Sequence, residues 1–154
     1  MKIPALLLGG LVLGPLLFFA QPLRAQSDRC GLLKPAELTT LLGGTVVAKS
    51  LGGACKWTAA GSAKKLIATK MMVTGPAAAM AFAGARNGAA RDGTVTDEAG
   101  LGDKAFSSLT SFGVALVTLK QGRLLQLQYW TGAAGTAKDL ATLQPVAKKA
   151  IAAF

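Results

Sequence analysis

The stretch FGVALVTLKQGRLLQLQYW, residues 112–130, contains two runs of strand-forming residues joined by Gln121-Gly122. A two-residue loop of this kind is typical of a tight β-hairpin. In the second run, apolar residues at 125, 127 and 129 alternate with glutamines at 126 and 128. Alternation with a period of two predicts a strand with one dry and one wet side. This stretch therefore predicts an antiparallel sheet.

Gly and Pro divide the rest of the chain into further elements. Strands are predicted at 45–50, 54–59, 64–73, 94–97, 104–109, 112–120 and 123–130, and helices at about 34–42, 77–87 and 136–154. Apolar residues on both sides of 64–73 indicate a strand buried on both faces, and Pro145 is expected to kink or split the last helix. Because hairpins link most strands, we predict an α+β fold: a largely antiparallel sheet of about six or seven strands with three helices packed on it.

The first 25 residues have the order of a secretory signal peptide: Lys2, an apolar stretch over 3–20, then a short segment ending in Ala25. Cleavage after Ala25 would leave a single exported α+β domain, residues 26–154. The alternative is an uncleaved N-terminal helix that tethers the protein, since 18 apolar residues approach the roughly 20 that span a bilayer. We therefore expect a periplasmic or extracellular protein.

The chain has two cysteines, Cys30 and Cys55, both early in the expected mature region. An even pair in an exported chain is most simply a disulfide, and a loop of this size stabilises a small domain by roughly 3 kcal/mol. A redox pair is the alternative, but the spacing is not Cys-x-x-Cys.

Composition excludes several chemistries. The chain has no His, which removes Ser-His-Asp, Cys-His and His-rich zinc sites. Its 29 Ala and 19 Gly leave few bulky side chains for a core. No cofactor is expected, and no residue is assigned a catalytic or metal-binding role.

Two motifs resemble catalytic or cofactor-binding signatures. Residues 100–105 fit G-x-G-x-x-A, but a strand-like run follows instead of a helix, so we expect a turn with positive φ. Residues 62–65 fit S-x-x-K, but they lie in a predicted hairpin, and the companion motifs of a serine acyl-enzyme are missing. Asp97, Glu98 and Asp103 would crowd one loop, and a solvated acidic turn explains them better than a Ca²⁺ site.

The charge suggests the class of partner. Loss of Lys2 and Arg24 with the signal lowers the net charge from +10 to +8. Candidate binding residues are Trp130, placed on the wet side of its strand, and the exposed pairs Lys64-Lys65 and Lys148-Lys149. We expect weak, salt-sensitive binding to an anionic envelope polymer, an acidic envelope protein or a membrane surface. Nucleic acid is not an expected partner of an exported chain. Solubility alone is the competing explanation of the charge.

Four segments carry a family resemblance: DRCGLLKPAEL (28–38), LLG (41–43), CKW (55–57) and GLGDKAF (100–106). They resemble small bacterial secreted proteins and lipoproteins of unknown function, which open with a Cys-x-Leu-Leu-x-Pro-x-Glu helix and pair that Cys with one in a Cys-x-Trp strand. The resemblance implies an exported α+β domain with a Cys30–Cys55 disulfide and no known activity. The chain lacks the acylated Cys of the lipoprotein members, so a lipid anchor is not implied.

These features favour a non-catalytic exported binding or adaptor domain. Two alternatives remain. One is a hydrolase that uses Asp, Glu, Ser or Lys without His. The other is an inhibitor of another exported protein, for which residues 84–103 would supply an exposed loop.

Overall fold

The structure, a computed structural model, describes residues 29–71, 73 and 75–154. Within this part of the chain, two short 3-10 turns (Arg29–Leu32 and Pro35–Leu38) precede three helices and seven strands. The helices are α1 (Thr39–Leu42), α2 (Pro76–Asp92) and α3 (Ala137–Ala152). The strands are β1 (Val46–Leu51), β2 (Ala54–Ala59), β3 (Lys65–Met71), β4 (Thr94–Asp97), β5 (Lys104–Thr110), β6 (Gly113–Lys120) and β7 (Arg123–Trp130). The expected signal segment, 1–25, lies outside the described residues.

The seven strands form one antiparallel sheet in the order β1-β2-β3-β7-β6-β5-β4. Strands β1 to β3 form one meander, and β4 to β7 form a second. Helix α2 connects β3 to the far edge of the sheet at β4, and β3 pairs with the last strand, β7. The predicted α+β class, with a largely antiparallel sheet and three helices, is confirmed.

The β6–β7 hairpin has the predicted turn. Gln121 and Gly122 have φ values of 49° and 71°, as a type I′ turn requires. The carboxylate of Asp103 accepts a hydrogen bond from the Gln121 amide at 2.7 Å. The turn that decides the antiparallel register is thus held by a side chain from the β4–β5 connection.

One side of the sheet, here called the covered face, carries the main core. Helix α3, α1 and the 3-10 turns pack on it around buried residues that include Trp57, Leu66 and Leu127. The hydroxyl of Tyr129 donates a hydrogen bond to the Leu41 carbonyl at 3.0 Å, which ties β7 to α1. Thr136 caps α3 by accepting a hydrogen bond from the backbone amide of Asp139 at 3.2 Å.

The opposite side of the sheet is covered over only part of its area. Helix α2 packs on β4 to β7, where the rings of Phe82 and Phe106 meet edge to face with centroids 5.3 Å apart. Val117 and Leu124 complete this smaller core. Over β1, β2, β3 and the Trp130 end of β7, no helix of the described residues lies on the sheet. We call this area the open face.

Three sequence expectations are wrong. Strand β3 is not buried on both faces: Ile67 is half-buried and Met71 is 41% exposed, because α2 covers β4–β7 instead. Helix α2 does not end near Gly88 but continues to Asp92, since Ala89 packs against the smaller core. Residues 84–103 do not form a long loop, because they continue α2 and then form β4.

Helix α3 continues past Pro145 as one helix, so of the two expected effects, a kink or a split, the split does not occur. Pro145 is exposed, while Leu143, Val146 and Ala147 beside it are buried against the sheet. A proline removes one backbone hydrogen bond, and here the buried stripe on both sides of it holds the helix together.

Candidate binding surface

Basic residues are concentrated in the first meander. Between Glu37 and Asp92 the chain has no acidic residue, and strands β1 to β3 with their turns contain five lysines. Strand alternation places Lys49, Lys56 and Lys65 on the open face. Lys70 lies on the covered side, where its Nζ is 5.0 Å from the centroid of the Phe154 ring. The open face of this meander is therefore positively charged, without a carboxylate among its strand residues.

Lys49 and Lys56 are direct partners across β1 and β2. Like charges opposite each other destabilise a sheet, so this pair is not explained by stability. The salt bridges of the described residues, Arg86–Asp97 and Lys149–Glu37, do not involve either lysine. Two neighbouring ammonium groups left without an acidic partner produce a local positive potential that attracts anions.

Trp130 lies at the end of this face, between Lys65 and Phe112. Lys65 is its partner on β3, and its Nζ lies 4.0 Å from the centroid of the Trp130 ring, a cation–π contact. Phe112 approaches from the β6 side and stacks on the same ring, with centroids 4.7 Å apart and planes 14° from parallel. The two faces of the indole are therefore occupied, and it is Phe112, 48% exposed, that presents an aromatic ring to solvent.

Gly113 makes this stack feasible. It pairs with Trp130 across β6 and β7 and has φ 149°, and a Cβ at this position would collide with the Tyr129 carbonyl. The absence of a side chain lets the backbones approach where Phe112 crosses over the Trp130 ring.

The aromatic end contains only a shallow cleft. Its volume is about 40 Å³, and it is lined by Thr110, Phe112, Val114, Ala115, Gln128, Tyr129 and Trp130. Small-molecule sites are usually about 300–1,000 Å³. This end of the sheet is therefore suited to surface contact rather than to enclosing a small ligand.

A larger cavity of about 380 Å³ lies at the β4 edge, lined by Phe82, Arg86, Asp97, Glu98, Lys104 and Ala105. Both of its carboxylates have protein partners. Asp97 accepts two hydrogen bonds from the Arg86 guanidinium, at 3.0 and 3.3 Å. Glu98 accepts from the Ser107 hydroxyl at 2.7 Å and from the Gln144 amide at 2.9 Å. These contacts join α2 and α3 to the edge strands, and they engage the carboxylates that a hydrolase would need.

The motifs noted in the sequence lie in turns. Gly100 and Gly102 have φ values of 74° and 85° in the turn that leads into β5, as expected. The Ser62 hydroxyl accepts a hydrogen bond from the Lys64 amide in the β2–β3 turn, while the Lys65 ammonium lies over Trp130. The described part of the chain contains no group of three His, Cys, Asp or Glu residues that could hold a metal ion.

The structure brings together three of the five predicted binding residues: Trp130 and Lys65 are in contact, and exposed Lys64 precedes Lys65. Lys148 and Lys149 lie on α3, on the other side of the sheet. Lys149 pairs with Glu37 at 3.5 Å. The pKa of the Glu37 carboxyl is held below its ordinary value, mainly by the hydrogen bond from the Lys34 backbone amide and to a smaller extent by the Lys149 charge. These two lysines therefore do not extend the surface around Trp130.

Sequence reasoning missed Lys49, Lys56 and Phe112. A signal for the lysines was present, since the acid-free segment combined with strand alternation places them on one side. Phe112 gave no such signal, because it lies in a turn and its position depends on the close approach at Gly113.

The disulfide between Cys30 and Cys55 is confirmed, with Cα atoms 5.1 Å apart. It joins the first 3-10 turn to β2, beside fully buried Trp57. Cys55 itself has no exposed surface, which favours a structural bond over a redox pair.

Comparisons of the chain with protein-family models, with curated proteins and with solved structures give no match. The resemblance to secreted proteins and lipoproteins stays a prediction. Among the described helices, none has the length and hydropathy needed to span a bilayer.

Proposed function

We propose that this protein is a non-catalytic, exported binding domain that holds an anionic ligand on its open face. The observation that carries the proposal is the placement of Lys49, Lys56 and Lys65 on a part of the sheet that no described helix covers. Interspersed charges of both signs are enough to keep a protein soluble, whereas the charged residues of strands β1 to β3 are all positive. The proposed partner is an anionic envelope polymer or an acidic envelope protein.

Export is part of the proposal. Residues 1–25 have the order of a signal peptide, and a disulfide persists in oxidising compartments such as the periplasm or the extracellular space. In those compartments the accessible polyanions are envelope polymers and acidic proteins rather than nucleic acid.

The two alternatives have less support. A hydrolase would use Asp97 and Glu98, the carboxylates of the 380 Å³ cavity, but both are engaged in contacts between elements. An inhibitor would present a projecting loop, but residues 84–92 belong to α2 and Thr94–Asp97 form β4, which leaves only a short turn at 98–103.

The test compares two triple variants with equal loss of charge. The first variant replaces three open-face lysines by Ser: Lys49, Lys56 and Lys65. The control variant replaces three exposed lysines that lie away from the open face by Ser: Lys104, Lys138 and Lys148. The probe is fluorescent polyglutamate at low ionic strength, measured by anisotropy. At about 1 kcal/mol per lysine, the first variant should lose roughly 100-fold in affinity and the control only about threefold.

Equal losses in the two variants would show that net charge, rather than the open face, attracts the anion. No binding by the wild-type protein at low salt would overturn the proposal altogether.

A further inference from the structure

We infer that the ligand of the open face is an acidic polysaccharide, a chain of sugar units that carry carboxylates. This inference rests on the proposed function and adds the chemical class of the ligand. It depends on three kinds of group on the same surface: lysines, unpartnered glutamines and an exposed aromatic ring.

The glutamines lie between the lysines and the aromatic end. Gln128 pairs with Ile67 of β3, and Gln126 with Thr69, so their side chains are on the open face. Both are half-buried, and within the described residues neither side-chain amide has a hydrogen-bond partner. An amide offers donors and an acceptor together, which matches a hydroxyl group that can also do both. Lipid phosphates and carboxylates, by contrast, only accept.

Phe112 supplies a platform of a different kind. One face of its ring is stacked on Trp130, and the residue remains 48% exposed at the edge of the surface. The face of an aromatic ring carries negative charge density, so it attracts the slightly positive C–H groups on the flat side of a sugar ring. A peptide of Glu and Asp has no such apolar flat side.

The dimensions favour a chain over a single sugar. From Lys49 on β1 to the β6 side, where Phe112 lies, the surface crosses five adjacent strands. At about 4.8 Å between strands, it extends for about 19 Å. The cleft beside Phe112 is too small to enclose a ligand, at about 40 Å³. An extended polymer that lies across the strands therefore fits the geometry.

The experiment measures the binding of four probes to the protein at low ionic strength: polygalacturonate, polyglutamate, neutral dextran and phosphatidylglycerol vesicles. Polygalacturonate should bind most tightly, since it alone satisfies all three kinds of group. Phe112→Ala and Gln128→Ala should each lower the affinity for polygalacturonate by about 3- to 10-fold and change the affinity for polyglutamate by no more than about twofold. Phe112→Tyr, which keeps the ring, should retain binding.

The control is Met80→Ala, an apolar truncation at a 74% exposed position on α2, which should change neither affinity. Urea denaturation of each variant establishes that the fold is retained. If polyglutamate or the vesicles bind as tightly as polygalacturonate, or if Phe112→Ala weakens polygalacturonate and polyglutamate equally, the polysaccharide inference is wrong while the proposed anion binding stands. If no anionic probe binds, the proposed function itself fails.

Discussion

The two sides of β2 and β3 differ in burial although they belong to the same strands. Toward α1 and α3, Cys55, Trp57, Leu66 and Ala68 are each at most 1% exposed. Toward the open face, the intervening positions at 54, 56, 58, 65, 67 and 69 are all half-buried, and two of them are lysines. The comparison shows that these strands bury one side much more completely than the other.

The side of the sheet that bears α2 shows a similar difference in burial between its two halves. Under α2 the sheet presents Phe106, Val117 and Leu124, all at most 2% exposed. Beyond the helix it presents Lys, Thr and Gln together with apolar side chains that are less buried, such as Val47 at 62% and Met71 at 41% exposed. Burial thus changes where helix cover stops, and substitutions on either side of that boundary should behave differently.

The largest expected difference is between Leu66→Ala and Ile67→Ala, neighbours that face opposite sides of β3. Leu66 is fully buried, so its truncation should lower the free energy of unfolding by about 2–5 kcal/mol, through lost burial and a cavity. Ile67 is half-buried, and its truncation should cost less than about 1.5 kcal/mol. Urea denaturation checks both, and similar losses would mean that the open face is packed against something in solution.

Removal of the disulfide should follow in size. Replacing Cys30 and Cys55 by Ser should lower the free energy of unfolding by roughly 3 kcal/mol, because the reduced unfolded chain regains the entropy of the closed loop. Reduction of the wild type followed by urea denaturation should give a similar loss. A loss below about 1 kcal/mol would show that burial on the covered face holds the 3-10 turns without the bond.

Tyr129→Phe should cost about 1–2 kcal/mol, since it leaves the buried Leu41 carbonyl without its hydrogen bond. Burial, with a smaller effect of the Asp139 charge, raises the pKa of Tyr129 above its ordinary value. The folded state therefore keeps the phenolic proton at pH values above about 10, where the unfolded chain loses it. The contribution of the Tyr129 hydroxyl to the free energy of unfolding is thus complete below that pH and falls as pH rises further.

Tyr129→Phe has no phenolic proton to lose, so its stability lacks this dependence on pH. The difference in free energy of unfolding between the variant and the wild type should therefore narrow above about pH 10. Tyr129 is the only tyrosine of the chain, and phenolate absorbance therefore reports its titration directly. A deficit that stays constant with pH would contradict this explanation.

The smallest expected effect has the opposite sign. Lys49→Thr should stabilise the fold by about 0.2–1 kcal/mol at low salt, because it relieves the repulsion from Lys56, and added salt should remove the gain. Lys104→Thr is the control, since its partner across β5 and β6 is Leu119. A loss of stability with Lys49→Thr would show that the pair is neutralised by another group.

The sequence predicted the strands and their antiparallel pairing because turn chemistry and alternation are local. Strand 123–130 and the Gln121-Gly122 turn were placed correctly for this reason. Helix cover was not predictable in the same way, because the open side of β3 depends on where α2 lies, and α2 packs on strands β4 to β7, which follow it in the chain. The half-buried Ile67 and the exposed Met71 follow from that packing.

The candidate surface was predicted in part. Alternation correctly placed Trp130 on the side of the glutamines, and the Lys64-Lys65 pair lies beside it. Lys148 and Lys149 were grouped with them by charge alone, and charge does not tell which side of a sheet a helix occupies. The role of Phe112 depends on a backbone approach between β6 and β7 that no local pattern encodes.

The pairing of β3 with β7 has a consequence for the order of folding. The Cys30–Cys55 loop and the β1–β3 meander involve only residues up to Met71, so their contacts are available as soon as that part of the chain has emerged. The seam with β7 has to wait for residues 123–130, which makes it the step of longest sequence separation in the sheet. We expect the first meander to be oxidised early and to present its inner edge at β3 until the last strand arrives and closes the sheet.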